Sequence, residues 1–128
     1  MANGPILLIA RILLAAIFII AGASKFGGIE GVAGYIGSKG IPMPLILAWL
    51  TAIGEVVGGL MILVGFRTQL ACYGLAAFCV LAGVIFHFDP SSQQEMQSFM
   101  KNLAIAGGFL ALSVAGAGRF SIDGRGRG

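Results

Sequence analysis

Four long apolar runs separated by short polar breaks organise this chain, at residues 5–26, 44–66, 69–88 and 99–118. Each is near the ~20 residues that an α-helix needs to cross ~30 Å of hydrocarbon. The runs are continuous and do not alternate as barrel strands do. The pattern therefore predicts helices, which satisfy their own backbone hydrogen bonds at bilayer depth. In the segment 27–43, Ile29, Val32, Ala33 and Ile36 fall at helical spacing. That spacing predicts a short interfacial helix ending at Gly40, with Pro42 and Pro44 leading into the second span. Arg67, Thr68 and Gln69 read as a tight hairpin. The polar segment 89–97 reads as a turn before the fourth helix. The tail 119–128, glycine-rich and basic, reads as mobile. The expected fold class is all-α: a single domain over residues 1–128, an integral membrane four-helix bundle with a short interfacial helix between helices 1 and 2.

Composition agrees with the pattern. Of 128 residues 58% are hydrophobic and 10% charged, with a mean hydropathy of +0.97, too little polar surface for a soluble domain of this length. A cleavable signal peptide is an alternative for the first run, since Ala21, Gly22 and Ala23 look like a cleavage site. The run lacks a basic start and carries Arg11 inside the apolar stretch, so it reads as a retained helix.

Lysine and arginine counts set the expected orientation. An even number of spans puts both termini on one face, which holds Arg67, Arg119, Arg125 and Arg127, with Arg11 leaning that way. Lys25, Lys39 and Lys101 lie opposite. The bias places both termini in the cytoplasm. A net charge of +3 then describes membrane flanks. No concentrated soluble basic surface exists to bind nucleic acid, and the lipid bilayer is the expected partner.

Candidate chemistry begins with Glu55, alone in the second run. A charge at bilayer depth costs roughly 2.5 to 3.5 kcal/mol on insertion scales, so it is expected to face protein and to be paired. Arg11, at a comparable depth on the first helix, is the expected partner, and such a pair serves either function or the locking of two helices. Gly22, Gly54, Gly58, Gly59 and Gly108 are the expected close-packing positions, Gly54 and Gly58 forming a small-xxx-small pair. On the opposite face, Lys25, His87, Lys101 and Asn102 close or open three helices and are the candidate ligand or proton site, with His87 able to exchange a proton near neutrality. The plainer alternatives are an interfacial cap for His87 and snorkelling for the lysines. Cys72 and Cys79 lie seven residues apart on one helix, ~10 Å along its axis, too far for a disulfide. One histidine and no close thiol pair argue against a metal site, and no known catalytic signature is present.

Six stretches then resemble a known family: Arg11-Ile-Leu-Leu-Ala-Ala-Ile-Phe-Ile-Ile-Ala-Gly-Ala-Ser-Lys-Phe26, Gly34-Tyr-Ile-Gly-Ser-Lys-Gly-Ile-Pro42, Ile53-Gly-Glu-Val-Val-Gly-Gly-Leu-Met-Ile-Leu-Val-Gly-Phe-Arg-Thr68, Phe86-His-Phe88, Phe99-Met-Lys-Asn-Leu-Ala-Ile-Ala-Gly-Gly108 and Gly116-Ala-Gly-Arg-Phe-Ser-Ile-Asp123. In this order, over nearly the whole chain, they are similar to the DoxX family. The resemblance implies a small four-helix protein of the bacterial inner (plasma) membrane, some of whose relatives are tied to redox complexes. It supplies no agreed catalytic residues. The expectation it raises is a membrane subunit of a redox-linked complex and not a self-contained enzyme. Such a subunit would hold a quinone or other lipophilic molecule and work with a soluble or membrane redox partner, with a homo-oligomer as a further expectation. The alternatives are a structural anchor or assembly subunit, and a small transporter using Glu55 as its proton or ion site.

Overall fold

The computed structural model describes residues 3–124. Helix α1 spans Asn3–Phe26, the short α2 Ile29–Ser38, α3 Pro44–Val64 and α4 Thr68–Ala82, which runs on through a π-helical turn at Gly83–His87, and α5 spans Gln93–Ala115. The bundle is all-α, and among the described residues four of these helical stretches are long and apolar enough to cross a membrane. At 21 residues, α3 measures ~31 Å, the thickness of the hydrocarbon layer. Ile6, Leu13, Ile20, Leu50, Leu81 and Val114 are exposed on the outside of the bundle, where lipid is as apolar as they are.

The helix ends depart from the apolar runs where capping overrules hydropathy. Helix α5 begins six residues before its run, at Gln93, because the Ser92 hydroxyl accepts from the Glu95 N–H at 3.2 Å. A capped first turn lies outside the membrane core. It stops at Ala115 because Gly116 turns to φ 85°. Helix α3 ends at Val64 with Gly65 at φ 71°, a left-handed stop that favours glycine. Helix α2 ends as its spacing predicts, with Gly40 at φ 77° just beyond it.

Two antiparallel pairs make the bundle. Helix α1 packs on α3 through glycines: a Cβ at Gly22 would stand 2.7 Å from Val56 and 2.9 Å from the Ala52 carbonyl, and one at Gly59 2.8 Å from Ile19. Gly58 lies against Leu75 of α4, where a Cβ would stand 3.0 Å away. Gly108 meets Leu14 at an ordinary 3.4 Å. Gly54 does not serve as a packing position, because nothing lies within 4 Å of where its Cβ would be. Helix α4 pairs with α5, and the main core of Ala15, Phe18, Ile62, Cys72, Leu75 and Phe109 lies between the two pairs. A second apolar cluster fixes α2 on α3 through Ile29, Ile36, Ala48 and Ala52. Cys72 and Cys79 are free thiols, both buried.

The tail corrects the expectation of mobility as far as Gly124. Ile122 and Asp123 donate backbone N–H groups to the carbonyls of Val64 and Gly65, at 3.0 and 2.8 Å. The Asp123 carboxylate accepts from the N–H groups of Arg67 and Thr68, at 2.9 and 2.7 Å, capping the N-terminus of α4. A carboxylate at a helix start satisfies orphan donors and the helix dipole together. Arg125 and Arg127, used above to orient the chain, lie outside the described residues.

Candidate functional site

The two charges inside the bundle are not each other's partners. Arg11 is fully buried and donates to the carbonyls of Leu63 at 2.7 Å and Ile62 at 3.3 Å and to that of Phe120. Two of these carbonyls belong to the last turn of α3, whose acceptors have no partner within the helix, though that of Ile62 also accepts from the Gly65 N–H at 3.2 Å. The guanidinium is thus drawn toward the terminal face, away from Glu55.

Glu55 instead meets Lys25, Nζ to Oε1, at 2.6 Å. The reason is the α1–α3 crossing: Gly22 seats against Ala52, Glu55 and Val56, so the long side chain of Lys25, one turn beyond Gly22, comes within reach of Glu55. The carboxylate is 8% exposed and the lysine side chain 26%. Nζ lies off the line of a hydrogen bond, and Oε1 keeps no directed donor among the described residues.

This ion pair stands in the wall of a cavity of about 350 Å³ beneath α2, lined also by Tyr35, Phe78, Phe86, His87 and Asn102. Of the four residues expected there, Lys25, His87 and Asn102 are brought together with Glu55. Lys101 is not: it is exposed and absent from the lining, being one position, or ~100°, around α5 from Asn102.

Several polar groups of the cavity are already engaged. Asn102 donates to the Cys79 carbonyl at 3.2 Å, a carbonyl beside the π-helical turn. Tyr35 stacks on Phe86, ring centroids 5.2 Å apart, and its hydroxyl donates to the Phe86 carbonyl at 3.3 Å. The Nδ1 of His87 is 3.1 Å from Oε2 of Glu95, a contact that orients the ring. Asp89 is drawn into its own loop, where the hydroxyl and N–H of Ser91 hold its carboxyl below the usual range.

The charged groups of the cavity wall are therefore Lys25 and Glu55, paired side by side against aromatic walls. Tyr35, Phe78 and Phe86 were missed by sequence reasoning. The signal for Tyr35 was its place on α2, one position from the buried Ile36. Phe78 and Phe86 carried none. Among the described residues no group of three His, Cys, Asp or Glu side chains could hold a metal ion.

The family model for DoxX matches residues 6–88, from α1 through the π-helical turn, a span that includes Lys25, Glu55 and His87. The chain belongs to the DoxX family. It is similar to the Escherichia coli inner membrane protein YqjF, 40% identical over 91% of this chain and 88% of that one. It is likewise similar to the Escherichia coli inner membrane protein YphA, 37% identical over 97% of this chain and 92% of that one. A further similarity is to the Bacillus subtilis protein named "Putative oxidoreductase CatD", 33% identical over 61% of this chain and 55% of that one. No solved structure matches.

Proposed function

We propose that this DoxX protein is a membrane-embedded binding unit for a small aromatic lipophile of the quinone type, serving a redox-linked complex whose electrons come from a partner. The observation that carries the reading is the Lys25–Glu55 pair at 2.6 Å in the wall of an aromatic cavity. A ring that alternates between carbonyl and hydroxyl needs a donor for one state and an acceptor for the other. Lys25 has further N–H groups for a carbonyl oxygen, and Glu55 has a second carboxylate oxygen, Oε2, beside the one that meets Lys25, for a hydroxyl. Tyr35, Phe78 and Phe86 suit the flat apolar remainder. His87 lies in the same lining, and an imidazole can serve there as a general acid or base. A quinone, when bound, supplies the electron chemistry, and the chain supplies binding and proton handling. The oxidoreductase name of the Bacillus subtilis relative supports a redox setting.

Binding of a tail-less quinone and its reduced form to purified protein tests this. Lys25→Met and Glu55→Gln are expected to weaken affinity about tenfold, and Lys101→Met, outside the cavity, to leave it unchanged. Equal affinity in all three variants would reassign the Lys25–Glu55 pair to joining α1 and α3 alone.

A further inference from the structure

We infer that the seam between α3 and α4 is a lateral channel from the bilayer, which holds the hydrocarbon tail of the molecule whose ring occupies the cavity beneath α2. The inference rests on the binding function proposed above and adds where the ligand enters and what else it must carry. Along the seam runs a second cavity of about 520 Å³, bordered on α3 from Leu47 to Met61 and on α4 from Leu70 to Phe78. It shares three wall residues with the first cavity, Thr51, Glu55 and Phe78. The two spaces therefore meet at the turn of α3 that carries the buried carboxylate.

Two glycines show why this space stays open. Where α1 crosses α3, Gly22 and Gly59 are filled by close neighbours, but Gly54 and Gly74, both bordering the seam, have nothing within 4 Å of a would-be Cβ. They leave width instead of bringing helices together. In a bilayer an apolar space of this kind is occupied by hydrocarbon. Depth then selects which hydrocarbon. Glu55 lies eleven residues below Pro44, ~16 Å along the axis, close to the middle of a ~30 Å hydrocarbon layer. A phospholipid headgroup stays at the interface and does not reach it. A lipid with a polar ring and an apolar tail does, placing the ring by Glu55 and Lys25 and the tail past Thr51 and Phe78 along α3 toward Met61.

The test compares a tail-less benzoquinone with the same ring bearing a decyl tail, in one detergent, on wild type, Gly54→Leu and Gly74→Leu. Both substitutions enter open space on helices, where leucine is favoured over glycine, and neither residue lines the ring cavity. The expected result is about a tenfold tighter wild-type affinity for the tailed ring. In both variants that advantage is expected to vanish, while tail-less affinity is retained. A tail that adds nothing in wild type, or an advantage that survives both variants, overturns the channel and leaves the ring cavity standing. Failure of the tail-less ring to bind wild type overturns both readings. An unchanged advantage together with loss of a dimer on Gly54→Leu assigns the seam to a second copy of the chain and overturns the channel.

Discussion

Two ionisable residues inside one small bundle are accommodated by different physics. Arg11 is held by carbonyl oxygens, at 2.7 Å from Leu63 and 3.3 Å from Ile62 and by Phe120. Glu55 is held by a lysine at 2.6 Å. The arginine fork serves several acceptors at once, which an ammonium on a flexible stem does not. Arg11→Lys is therefore expected to lower stability by about 1 to 3 kcal/mol, the penalty for a buried carbonyl left without its donor. Thermal unfolding in micelles reads this as a lower midpoint, and an unchanged midpoint would remove Arg11 from its stapling role. The sequence disclosed that both charges were buried, because their depth in the apolar runs was plain. It did not disclose their partners. Depth along a helix says nothing of which helices touch, and the choice of Lys25 over Arg11 was made by the seating of Gly22 on Ala52 and Val56.

At the scale of the helices, hydropathy reads the hydrocarbon crossing and capping reads the ends. All four spans and α2 were legible because burial in lipid demands unbroken apolar runs. The early start of α5 was less so, since Gln93 to Ser98 are mostly polar and only Ser92, followed three residues later by Glu95, marks the beginning. Ser92→Ala is expected to destabilise by about 1 kcal/mol and to speed amide exchange across residues 93–97. Unaltered exchange there would show that the membrane-spanning part of α5 alone holds its first turns. The π-helical turn at Gly83–His87 had no signal in the sequence. It lies where Gly83 faces Phe99 and Asn102, with a would-be Cβ 3.3 and 3.4 Å from them, so α5 packs closely at the place where the α4 backbone widens.

Across the whole molecule, one face gathers both described ends of the chain and the Gly65–Thr68 corner, and the other carries α2, His87 and the mouth of the ring cavity. From the distribution of basic residues we propose that the terminal face is cytoplasmic. Ser38→Cys in intact cells is then expected to react with a membrane-impermeant thiol reagent, and Arg119→Cys to react only after lysis. The native Cys72 and Cys79 are buried and leave the background low. The reverse labelling pattern would invert the orientation. The stapled terminal face also bears on synthesis. Arg11 enters the bilayer with the first helix, but one of its acceptors, Phe120, and the cap of α4, Asp123, are made only after α5. The earliest buried charge thus waits for all four spans to be made before its surroundings are complete, and the terminal face closes only after the last of them is in place.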